Sequence, residues 1–87
     1  MAKQFRLQVF TQERKVVDEL VTSVQAPGAD GYFGVLADHA PLIAALGHGN
    51  LTISTAASTR VLELNGGFME VSNNIATILA DSMAEAS

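Results

Sequence analysis

The reactive side chains of this sequence are few, and their spacing does not assemble an active site. Asp38 and His39 are the one place where an acid and a histidine meet. Adjacent side chains on an extended backbone point to opposite faces, so the pair is not arranged for the Asp–His hydrogen bond that a general base uses. A hydrolase built on His39 would also need a nucleophile on a sharp elbow and an oxyanion site. Ser54, Ser58 and Ser72 sit instead in turn contexts with no such motif. His48 and the scattered carboxylates reproduce no zinc or calcium ligand spacing. Gly66-Gly67 has neither the following Lys nor the helix start of a phosphate loop. The sequence contains no cysteine, which excludes disulfides, thiolate metal sites and cysteine nucleophiles. The expectation is a protein that works by binding, with no catalytic residue, no metal and no cofactor.

Composition narrows the partners. The 87 residues suit one domain with a single core, 48% apolar but only 6% aromatic, so that core must be mainly aliphatic. A net charge of −4 with five scattered basic residues argues against nucleic acid, whose phosphates need clustered Lys and Arg. The N-terminal Met-Ala-Lys-Gln-Phe-Arg has no apolar run of signal-peptide length, and no stretch reaches the roughly 18–20 apolar residues of a membrane span. A soluble cytosolic chain is expected.

The elements that must position any contact residue read as short strands. Phe5, Leu7 and Val9 alternate with Gln4, Arg6 and Gln8, and Leu20, Thr22, Val24 and Ala26 alternate with Val21, Ser23 and Gln25. Leu42 to Leu46 reads as a buried strand, stopped by a turn at Gly47-His48-Gly49. Strands over 50–54 and 59–64 flank the linker Thr55-Ala56-Ala57-Ser58, and Asn65-Gly66 is a hairpin signal. A further hairpin turns at Ser72-Asn73-Asn74. The count is eight to ten short strands, an all-β sandwich or barrel over residues 1–82. Residues 83–87 read as a short fraying tail, because the capping-box spacing of Ser82 and Glu85 would open a helix too short to hold.

Between the second and third of these runs lies the densest stretch of backbone-special residues. Pro27 to Leu42 holds three of the seven glycines, both prolines and His39. Gly opens φ > 0 and Pro fixes φ near −65°, so the chain here must follow one path. Gly31 and Gly34 bracket Tyr32 and Phe33, which suggests an ordered, exposed loop carrying two aromatic rings. An ordinary Asp30-Gly31 hairpin that returns Phe33, Val35 and Leu36 to the core fits the same residues.

Two segments resemble the signatures of one family. Gly31 to Leu42, with its G-x-φ-G-φ-φ-x-x-H-A-P-φ pattern (φ apolar), is similar to that of the ε subunit of F-type ATP synthases. Gly66 to Asn74, running on to Ile78-Leu79-Ala80-Asp81, resembles that family's second signature. The resemblance implies a ten-stranded β-sandwich or flattened barrel in the central stalk, non-catalytic, linking the γ subunit to the c ring and coupling proton translocation to ATP synthesis. It implies that Asp30, Gly31, Tyr32 and Phe33 meet the polar loops of the c ring, and that Thr11, His39, Ala40, Pro41 and Leu42 meet γ. The expected place is the cytoplasmic face of the bacterial plasma membrane, peripheral, in the F1 sector, with contact to the membrane only through the complex. Where many members carry Glu beside Gly31 this sequence has Tyr32, so charge pairing with a basic ring loop falls to Asp30 or gives way to stacking and cation–π contact. Where many have Pro-Gly before the histidine it has Ala37-Asp38, and the C-terminal helical hairpin usual in the family is absent from these residues. The alternative to a rotor subunit is a free-standing β-sandwich adaptor or ligand-binding module.

Overall fold

A computed structural model describes residues 3–85, and every regular element among them is a strand. β1 (Phe5–Phe10), β2 (Lys15–Val21), β3 (Ser23–Gly28), β4 (Gly31–Leu36), β5 (Leu42–Ser54), β6 (Thr59–Ser72) and β7 (Ile75–Glu85) pair in the order β2-β1-β7-β6-β5-β3-β4. β1 and β7 run parallel and every other pair is antiparallel. The all-β sandwich follows from the period-two patterns, but the strands number seven where ten were expected.

The difference lies in three long strands that each serve both layers. β5, β6 and β7 have 13, 14 and 11 residues, and their pairing runs without a break in register across Gly47-Gly49 and Gly66-Gly67. What changes at those glycines is the face turned inward. On β5 the buried positions pass from Leu46 to Leu51 and Ile53, and on β6 from Leu62 and Leu64 to Met69 and Val71. On β7 they pass from Ala76, Ile78 and Ala80 to the half-buried Met83. Each strand thus slips by one in its alternation as it bends from one layer to the other. In sequence that slip looks like the end of one strand and the start of another, and counting the halves separately yields ten.

Glycine is required at the bend. Gly66 and Gly67 have φ of 78° and 130°, and a side chain on Gly67 would lie 2.9 Å from the Ala80 Cα. The β6 and β7 backbones therefore approach too closely there for any Cβ. Neither Gly47-His48-Gly49 nor Asn65-Gly66 is a turn, and Ser82 continues β7 opposite Asn65, so no helix begins there. The expected tail is strand through Glu85, and residues 86 and 87 lie outside the described residues. The alternating run expected over 20–26 is also split. Val21 ends β2, and Thr22 crosses between layers with its N–H donating to the Ser54 carbonyl at 2.8 Å.

Between the layers lies one continuous, mainly aliphatic core that includes Phe5, Leu7, Leu51, Ile53, Leu62, Leu64, Met69 and Ile78. One layer is β2, β1, the first half of β7, the second half of β6 and the first half of β5. The other is β4, β3 and the remaining halves of β5, β6 and β7. No polar or charged residue is buried among the described residues.

Candidate functional site

The stretch from Gly28 to Phe33 is a hairpin, with only Ala29 and Asp30 in its turn. Gly28 pairs with Gly31, Gly31 takes φ of 135°, and the Ala29 N–H donates to the Ala45 carbonyl at 3.0 Å. Gly31, Tyr32 and Phe33 belong to β4, so the two rings point to opposite sides of a strand and do not form one contact surface. Phe33 is half-buried against the core. Tyr32 keeps 55% of its surface exposed, but its Oη accepts the Asn50 N–H at 2.9 Å and its ring lies over Gly49. Asp30 and Gly31 are exposed at the tip.

The second predicted group, His39 to Leu42, follows a tight turn. The His39 N–H donates to the Leu36 carbonyl at 3.2 Å, and Asp38 sits in the left-handed region with φ of 64°. His39 Nδ1 lies 2.6 Å from the Ala40 carbonyl, which places its proton on that nitrogen. Asp38 pairs instead with Lys3, Oδ2 to Nζ 2.9 Å, so the acid and the histidine hold different partners. Ala40 and Pro41 are exposed, and Leu42 is half-buried against the core. Thr11 is not brought to this turn. It caps the β1–β2 connection, its N–H donating to the Arg14 carbonyl at 2.9 Å, at the far end of β1 and roughly 20 Å along the strand from Gln4. There it borders a polar cleft of about 340 Å³ with Arg14, Arg60, Asp81 and Ser82.

The residues that sequence reasoning missed lie on the outer face of the first layer. Phe10 pairs with Leu79, Leu79 with Phe68 and Phe68 with Ala45, making an apolar row across four strands. Ile43, two positions along β5 on the same face, is 77% exposed, while Phe68 and Leu79 are 60% and 57% exposed. Ile43, Phe68, Glu70, Thr77 and Leu79 border a shallow groove of about 220 Å³. Leu20 and Ile75 are exposed on the same face as well, in a second row joined through Arg6, four residues along β1 and β7 from the Phe10–Leu79 pair. A signal for this face was present. The pairs Leu42-Ile43, Phe68-Met69 and Ile78-Leu79 put apolar residues on both sides of a strand, as strands covered on both faces do.

A charged rim borders the row. Asp18 accepts from Arg6 at 2.8 Å and from Lys15 at 2.9 Å, and the Lys15 ammonium lies 5.8 Å from the centre of the Phe10 ring. The hydrogen bond from Arg6, then that from Lys15, lowers the Asp18 carboxyl from its ordinary 3.8 to about 2. An apolar centre with a polar, charged edge is the anatomy of a protein–protein interface. Contiguous exposed apolar surface on a small domain marks such a site. Among the described residues no group of three or more His, Asp or Glu is placed to hold a metal ion.

Comparison with known proteins gives a consistent picture. Residues 4–86 match the model of the ATP synthase delta/epsilon chain β-sandwich domain. The ATP synthase epsilon chain of Maridesulfovibrio salexigens is 44% identical over 81 residues, covering 93% of this chain and 57% of that one. That of Solibacter usitatus is 46% identical, covering 93% and 60%. That of Caulobacter vibrioides is 46% identical over 74 residues, covering 85% of this chain and 86% of that one. The chain spans less than two thirds of the length of the first two relatives. A chain in the Euglena gracilis mitochondrial ATP synthase structure with OSCP, F1 and c ring superposes with a TM-score of 0.89 over 94% of this chain and 53% of that one, at 22% identity. A chain of the Tetrahymena thermophila central stalk and c ring superposes with a TM-score of 0.83 at 12% identity, covering 97% of this chain and 68% of that one.

Proposed function

The chain belongs to the ATP synthase delta/epsilon chain β-sandwich family, and from that premise we propose that it is a non-catalytic rotor subunit, docking γ on one side and the c ring on another. The observation that carries the reading is the apolar outer face of Ile43, Phe68 and Leu79, which runs on to Pro41 through the shallow groove that Pro41 shares with Ile43 and Glu70. Burying three such side chains against γ is worth several kcal/mol before the losses of association, at roughly 1.5–3 kcal/mol each. His39, Ala40 and Pro41 extend this face at one end, Leu42 completes the γ contact from the half-buried side of β5, and Thr11 adds a separate contact at the other end of β1. In this reading Asp30 and Gly31, with the exposed edge of Tyr32, meet the polar loops of the c ring. Phe33 acts from behind, as the anchor that holds the hairpin to the core. The subunit then sits in the F1 sector on the cytoplasmic face of the bacterial membrane and helps to couple proton translocation to ATP synthesis.

The test is co-expression with the cognate γ subunit, followed by size exclusion and calorimetry. The expected result is a one-to-one complex that Phe68→Asp weakens at least about thirtyfold, as removal of a central hot spot does. Because Phe68 is exposed, that variant should unfold at close to the parental temperature. A folded chain that ignores γ would support a free-standing adaptor instead.

A further inference from the structure

We propose that Asn74, in the β6–β7 hairpin, is the positioning residue for the turn that carries His39, Ala40 and Pro41; the inference rests on the docking reading above. Asn74 touches none of the three. It lies in the left-handed region with φ of 63° and joins three segments distant in sequence. Its backbone carbonyl accepts the Arg6 N–H at 3.1 Å, its side-chain Oδ1 accepts the Asp38 N–H at 2.7 Å, and its Nδ2 donates to the Gln4 carbonyl at 3.2 Å. One partner is a donor and the other an acceptor, so only one orientation of the amide satisfies both.

The turn needs such a hold. Asp38 has φ of 64°, a conformation that a non-glycine residue keeps only when its surroundings impose it. The Lys3–Asp38 ion pair is exposed on both sides and holds the turn weakly. The hydrogen bond from the Asp38 N–H to Asn74 is what sets the direction in which the chain leaves the turn through Pro41 into Ile43.

Asn74→Gly tests this in the intact chain, because glycine accepts the hairpin's φ and removes only the side chain. Amide exchange by NMR should show the Asp38 N–H exchanging at least about tenfold faster while core amides are unchanged, and affinity for γ should fall about three- to tenfold, in line with two lost hydrogen bonds. Asn74→Asp keeps an acceptor for Asp38 and loses the donor to Gln4, so it should fall between. Unchanged Asp38 exchange in Asn74→Gly overturns the proposal, as does faster exchange with parental affinity for γ. If the parental chain itself ignores γ, the docking reading fails, and the exchange measurement still decides whether Asn74 holds the turn.

Discussion

The two outer faces of the sandwich are built from the same three strands, yet they differ in chemistry. In one layer β5, β6 and β7 turn Ile43, Phe68, Ile75 and Leu79 outward. In the other, β5 and β6 turn out Asn50, Thr52, Ser54, Glu63 and Asn65 around a half-buried Val61, continued on β3 by Gln25, with Tyr32 and Leu36 exposed only on the edge strand β4. The second pattern is that of an antiparallel sheet facing water. The first is that of a sheet expecting cover. Because the inward parity slips at the glycine bend, one strand can present an apolar and a polar outer face in succession. A long strand therefore need not share one environment along its length, and the bend is where function is divided from solubility.

Breaking the bend should have the largest effect. Gly67→Ala forces a Cβ toward the Leu79 carbonyl and 2.9 Å from the Ala80 Cα, at φ of 130°. Strain and overpacking together should destabilise the chain by about 3 kcal/mol or more. Urea unfolding would measure it, and a parental midpoint would mean that the strands do not cross as described.

The next test sets the two faces against each other. Thr52→Asp places the charge of Phe68→Asp on the polar outer face, at a half-buried position on β5. Its affinity for γ should stay within about twofold of the parental value while Phe68→Asp loses thirtyfold or more. Equal losses would show that the apolar face is not the privileged one.

Much of this comparison was legible in the sequence, and the remainder was hidden for identifiable reasons. Alternation placed Phe5, Leu7 and Val9 in the core, and Thr55 to Ser58 and Asn73-Asn74 in turns, as found. Gly47-Gly49 and Gly66-Gly67 misled because a glycine in a strand bend and a glycine in a hairpin look alike until the partner strand is known. Tyr32 and Phe33 read equally as a pair of exposed rings or as an Asp30-Gly31 hairpin returning Phe33, Val35 and Leu36 to the core. The hairpin holds for Phe33 and Val35 but not for the exposed Leu36, and only the partner strand decides between the two. The apolar row escaped because its members are adjacent only through cross-strand pairing, from Phe10 to Leu79 to Phe68. Asn74 escaped for the same reason, its partners lying 36 and 70 residues away.

A smaller effect is expected where the polar face meets the hairpin. Tyr32→Phe removes the acceptor for the Asn50 N–H, which is exposed and can turn to water. The loss should be about 0.5–1 kcal/mol, read from the unfolding midpoint. A loss well above that range would mean that Tyr32 holds the hairpin in place and is not simply a contact at its tip.

The smallest effect belongs to the charged rim and depends on pH. Arg6 and Lys15 hold Asp18 at about 2, below its ordinary 3.8, so the folded state binds the proton less readily than the unfolded one. A carboxyl depressed in this way contributes its stability above roughly pH 4 and loses it as pH falls through about 2. Asp18→Asn should therefore lower the urea midpoint slightly at neutral pH, with the gap shrinking toward zero as pH falls through about 2 and also narrowing as salt is added because the group is open to solvent. If the parental chain and the variant lose stability in parallel between pH 4 and 2, the Arg6–Asp18–Lys15 group contributes nothing to the fold. Its place beside Phe10 would then have its use in the partner's approach, where a rim charge acts on the rate of encounter more than on the final affinity.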